Sequence, residues 1–86
     1  MKIRVVITGR SYHTTQHLPD ELQLADPGTV DDAIGQLAAF LPEGQGFPPS
    51  CLVVVAGRHL GTIARHAACP LHEGDELTLI APVAGG

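Results

Sequence analysis

Aromatic rings and positive charge are both scarce in this 86-residue chain. There is no tryptophan, and Tyr12, Phe40 and Phe47 are the only aromatics, too few and too dispersed to form a platform for stacking bases. Five Lys and Arg stand against nine Asp and Glu, for a formal net charge of −4. No patch is available to neutralise a phosphate backbone, so nucleic acid is not an expected partner. Long apolar runs are missing as well. A stretch such as Cys51 to Ala56 falls far short of the roughly 20 residues that cross a bilayer, and no apolar signal region follows Lys2 and Arg4. A membrane is therefore not an expected partner either, and the expected location is the cytoplasm. Cysteine is limited to Cys51 and Cys69, which suits a reducing compartment; Cys51, opening an apolar run, reads as a small buried thiol.

What the chain does have is a 44% share of apolar residues, enough for one small core and too little length for two. Ile3, Val5 and Ile7 alternate with Lys2, Arg4, Val6 and Thr8, which predicts a strand ending at Gly9. A polar stretch leads to Glu21-Leu22-Gln23-Leu24-Ala25, a second alternating segment cut off by Asp26-Pro27-Gly28. The two segments are expected to pair as a hairpin with a long connection. Thr29 has the chemistry of a helix N-cap, with Asp32 placed as its capping-box partner and Asp31 adding a second carboxylate to the first turn. Val30, Ala33, Ile34, Leu37, Ala38 and Leu41 then recur at helical spacing and make one apolar stripe, which Pro42 should end.

Pro42 to Ser50 has loop composition, and Cys51 to Ala56 reads as a strand covered on both faces or open to a partner on one. Gly57-Arg58 suits a turn, a short strand-like piece lies around Thr62 to Ala64, and Glu76 to Ile80 alternates as the last strand. The order β-β-α-β-(β)-β, with one helix on a small mixed sheet whose first and last strands lie side by side, is an α+β fold of β-grasp (ubiquitin-like) type. A ferredoxin-like sandwich needs a second helix, and only one helical period is present.

The chain finishes Ala81-Pro82-Val83-Ala84-Gly85-Gly86. Pro82 resists continued pairing, and two glycines make a thin strip of backbone with a carboxylate at its tip. The division expected is a β-grasp domain over residues 1–81 and a flexible tail over 82–86. Together with Thr29-Val30-Asp31-Asp32-Ala33-Ile34, the run from Pro70-Leu71-His72-Glu73-Gly74-Asp75-Glu76 to the Gly-Gly end resembles the MoaD/ThiS family of ubiquitin-like sulfur carriers along the whole chain. The Ala81-Pro82-Val83 lead-in is more similar to the small subunit of molybdopterin synthase than to the thiamine sulfur carrier. Val6, Ile80 and Gly9-Arg10-Ser11-Tyr12 stand where the molybdopterin branch often has phenylalanines and a Phe-Ala-x-x-Arg-Glu-like stretch.

The resemblance implies a carrier that acts as a protein co-substrate, with no bound cofactor and no catalysis of its own. A ubiquitin-activating-type enzyme would use ATP to adenylate Gly86, a persulfide sulfur would displace AMP, and the thiocarboxylate would donate its sulfur to an acceptor. That acceptor would be the large subunit of molybdopterin synthase or an enzyme of thiamine or cysteine biosynthesis. Activation is chemically necessary because an ionised carboxylate is a poor electrophile, and Pro82, Val83, Ala84 and Gly85 would thread a partner's channel. A protein-interaction module with an incidental Gly-Gly end is the alternative from another class.

If Ile3, Val5, Ile7, Leu77 and Leu79 face the helix, Val6 and Ile80 point to the other side of the sheet, beside Thr8 and Thr78, where a partner could cover them. His59, His66, Cys69 and His72 offer zinc-type ligands, but their spacing lacks the paired Cys-x-x-Cys pattern of structural zinc sites. The expectation is solvated loop histidines, no metal, and solvated Arg58 and Arg65.

Overall fold

The computed structural model describes residues 1–8, 18–41 and 46–81. Strand β1 (Lys2–Thr8) pairs antiparallel with β2 (Glu21–Gln23) and parallel with the last strand, β7 (Glu76–Ile80). On its other side β7 pairs antiparallel with β4 (Leu52–Val55), which pairs with β5 (Arg58–Thr62). The result is a five-stranded mixed sheet in the order β2-β1-β7-β4-β5. A separate ladder joins β3 (Gly28–Thr29) to β6 (Pro70–Leu71). Helix α1 (Val30–Ala38) follows β3 directly.

Local chemistry accounts for the start of α1. Thr29 Oγ1 accepts a bond from the Asp32 N–H, and the Asp32 carboxylate accepts one from the Thr29 N–H at 2.9 Å, closing the capping box read from the sequence. The Val30 N–H, another group left over at a helix start, donates to the Cys69 carbonyl at 2.9 Å. Val30, Ala33 and Leu37 are buried, and with Ile3, Val53, Leu77 and Leu79 they belong to one core between helix and sheet. The expected inward residues of β1 and β7 are thus found inside, with Ile7 partly buried against them.

Several details differ from what the sequence predicts. The helix stops at Ala38, which is exposed, and the next residues wind on through shorter bonds from Phe40 N–H to Leu37 and Leu41 N–H to Ala38. Leu41 is nevertheless buried, while Pro42, the expected stop, lies outside the described residues. Strand β2 ends at Gln23, two residues before the expected Ala25. The strand-like piece expected at Thr62 to Ala64 is displaced to Arg58–Thr62. Its alternation is hidden because the β4–β5 register shifts at Val53/Val54, and an extra residue on one strand breaks the two-residue period. Arg58 is therefore strand, and the turn is Ala56-Gly57, with φ of 49° and 82°, the left-handed pair that a tight two-residue hairpin requires.

Gly61 has φ of 138°, and a Cβ there would overlap the Arg65 carbonyl oxygen and lie 2.9 Å from the His66 Cα. The connection after β5 folds back so closely that only glycine fits. Gly61→Ala is expected to lower stability by about 1–3 kcal/mol, read from urea denaturation. An unchanged midpoint would show that residues 65–66 retreat without cost.

Candidate functional site

The parallel ladder of β1 and β7 brings the C-terminal end of the described chain beside the end of β1. Thr8 pairs with Ile80, and the next residue, Ala81, donates its N–H to the Thr8 carbonyl at 2.8 Å. Ala81 is only 6% exposed, so the core holds the chain as far as this rim. Pro82, Val83, Ala84, Gly85 and Gly86 lie outside the described residues.

From that rim the sheet face opposite α1 can be read through the registers. Val6 pairs with Thr78, and Thr78 with Val54; Thr8 pairs with Ile80, and Ile80 with Leu52. Alternation puts these side chains on the face away from the core, since their neighbours Val5, Leu77, Leu79, Val53 and Val55 are buried. Val6, Leu52, Thr78 and Val54 are half-buried and Ile80 is exposed. Ile80 and Phe40 are the exposed large hydrophobics among the described residues. The open face thus carries a short apolar tract running to the end of β7. Leu52 and Val54 do not stand out in the sequence. The run Cys51 to Ala56 contains their signal, but its two readings separate only once the sheet places Val53 and Val55 inward and Leu52 and Val54 outward.

Among the described residues the thiols and imidazoles do not form a reactive constellation. Cys51 is fully buried, and burial pushes its thiol up in pKa against a weaker opposing backbone hydrogen bond at Ile80; it stays protonated and unreactive at neutral pH. Cys69 is half-buried at a cavity of about 170 Å³ shared with Val55, Arg58 and His72. Both cysteines are free. His59 is exposed on β5 and His72 lies 3.5 Å from Asp75. His66 departs from the expected solvated histidine: its side chain is 11% exposed and lies 2.7 Å from Asp31. Among the described residues no group of three His, Cys, Asp or Glu side chains is placed to hold a metal ion, and no helix is long and apolar enough to cross a membrane.

The family model of the ThiS family matches residues 5–86. No curated protein and no solved structure matches the chain.

Proposed function

Since the chain belongs to the ThiS family, whose members are small β-grasp sulfur carriers, we propose that it carries sulfur as a thiocarboxylate on Gly86, as the small subunit of molybdopterin synthase. The observation that carries the sulfur-carrier part of this reading is the family match reaching through the Gly-Gly end. The position of Ala81 at the sheet rim supports it, because a tail leaving there starts beside the apolar tract of Val6, Ile80, Leu52 and Val54. Sulfur carriers of this family work with adenylating enzymes and sulfur acceptors.

The chemistry follows from the carboxylate. An ionised carboxylate resists nucleophiles; transfer of an adenylyl group from ATP, with loss of pyrophosphate, makes it a mixed anhydride. The outer sulfur of a persulfide can then attack the carbonyl carbon while AMP leaves, giving an acyl disulfide; a thiol attacking its inner sulfur forms a new disulfide and releases the thiocarboxylate. Pro82, Val83, Ala84 and Gly85 serve as the thread through the partner's channel, and the glycine tip gives the backbone freedom that a narrow site demands. The carrier supplies the reacting carboxylate and a docking face, and its partners supply the catalytic groups. The Ala81-Pro82-Val83 lead-in favours the molybdopterin pathway over thiamine biosynthesis.

The test is mass spectrometry of the chain incubated with its native adenylating enzyme, ATP, a persulfide donor and a thiol, followed by addition of the molybdopterin synthase large subunit. Replacement of one oxygen by sulfur at Gly86, reversed on adding that subunit and precursor, is the expected result. Thiocarboxylate that only a thiamine-pathway or cysteine-pathway acceptor discharges would reassign the pathway. Val6→Asp and Ile80→Asp should fold yet slow thiocarboxylate formation by at least about tenfold, because a carboxylate desolvated at an interface without a partner costs several kcal/mol. Wild-type rates in both would move the docking surface off this face.

A further inference from the structure

His66 occupies a position that the carrier reading does not use. It lies in the connection between β5 and β6, four residues past Thr62 and 35 residues from Asp31 in sequence. Its Nδ1 is 2.8 Å from the Thr62 carbonyl oxygen, and its Nε2 is 2.7 Å from Asp31 Oδ1. A backbone carbonyl has no proton to offer, and neither has a carboxylate. For both bonds to exist the ring must donate from both nitrogens, which only the imidazolium can do. Protonated, it joins the end of β5 to the first turn of α1; neutral, it has to give up one of the two.

We infer that His66 is a protonation-controlled latch that fastens the β5–β6 connection to the first turn of α1, and that this connection loosens when the ring becomes neutral. The surroundings contain what the latch needs. Asp31 and Asp32 are the acidic groups of the first turn of α1, and Asp32 is engaged by the N–H and hydroxyl of Thr29, leaving Asp31 for the ring. On the side of β5 the ring meets the Thr62 carbonyl, while Arg58 and His59 stand at the other end of that strand. Arg65, exposed, is its neighbour in the connection. The backbone at His66 also bridges to Gly61, so the ring is anchored on both sides. Next to it, the Ala67 N–H donates to the Leu60 carbonyl at 3.0 Å and the Val30 N–H to the Cys69 carbonyl at 2.9 Å; these bonds report on whether the connection is closed.

Burial alone would favour the neutral ring, but the bonds to Asp31 and Thr62 and the charge of Asp31 together outweigh it, so the ring holds its proton to higher pH than an ordinary imidazole. A histidine raised in the folded state contributes its full stabilisation below the ordinary imidazole range. That contribution fades as pH rises through the folded value, so the latch is closed below the ordinary imidazole range and opens as pH rises through the raised midpoint.

A pH titration of the full ¹⁵N-labelled chain by NMR tests this. Both His66 ring nitrogens should show protonated-type shifts on the acid side of a midpoint that lies above that of free histidine. Across that midpoint the Ala67 and Val30 amides should exchange about three- to tenfold faster than base catalysis alone accounts for, the range open to one partly solvated charge-assisted bond. The Val5 amide, in the sheet, should follow base catalysis only. Asp31→Asn should lower the midpoint and bring the faster exchange to lower pH; if that variant does not fold, His66→Gln supplies the open state and the wild-type titration still decides. A midpoint at or below that of free histidine, or Ala67 and Val30 amides that track Val5, would overturn the latch. Neither result bears on sulfur carriage, which is read separately at Gly86.

Discussion

Deleting Gly86, or adding one uncleavable residue after it, is expected to leave the domain folded and to abolish ATP-dependent adenylation. Among the described residues the buried core runs from Ile3 to Ala81, whose N–H donates to the Thr8 carbonyl, and a terminal glycine, with no side chain to bury, is not expected to add to it. Thermal unfolding should therefore match wild type. Activity is another matter, because all the proposed chemistry occurs at one terminal carboxylate. One residue moves that group by up to about 3.5 Å along an extended chain. Attack requires reacting atoms about 3–3.5 Å apart, and a misplacement of about 1 Å can cost about a hundredfold. ATP–pyrophosphate exchange with the adenylating enzyme should fall to background in both variants. Gly85→Val should impair it too, by placing a branched side chain in the channel and narrowing the backbone angles open to the tail. Normal sulfur transfer by the extended chain would remove the carrier mechanism and leave an interaction module in its place.

The largest expected loss of stability comes from the helix. Leu37 is fully buried, in the core shared with Ile3, Leu77 and Leu79. Leu37→Ala deletes most of that side chain and leaves a space that a sheet on one side and a helix on the other can fill only in part. The expected cost is about 2–5 kcal/mol, a large fraction of the roughly 5–15 kcal/mol that holds a typical domain together. Urea denaturation should show a lower midpoint, with Gln36→Ala, on the exposed side of the same helix, staying within about 0.5 kcal/mol of wild type. A Leu37→Ala midpoint equal to wild type would mean that the buried stripe of α1 has been misplaced.

Both predictions draw on features that can be read in the amino-acid sequence, because their signals are local. A capping box lies within four consecutive residues, so Thr29 and Asp32 announce the start of α1 on their own. Alternation over five to seven residues marks β1 and β7, and a stripe at helical spacing marks Val30, Ala33 and Leu37. These periods repeat often enough to be read and together imply one helix on a mixed sheet. The Gly-Gly end is likewise a pure sequence feature, and it carries the proposed chemistry.

Other features depend on partners distant in sequence. Strand β5 has no clean period because the register shift beside Val53 breaks it, so its place is set by pairing with β4. The β3–β6 ladder has two residues on each side, too short for any period, and exists because the chain returns past the start of α1. Leu52 and Val54 belong to an evenly apolar run, and only the placement of Val53 and Val55 against the core puts them on the open face. His66 reads as a solvated loop histidine in sequence, since nothing within several residues of it is acidic; its partner Asp31 is 35 residues away. Sequence alone determined the elements whose signals repeat within a few residues, the fold type they compose and the tail. The tertiary structure decided the register, the face and the charge partners, because those depend on distances between segments that the chain brings together only by folding.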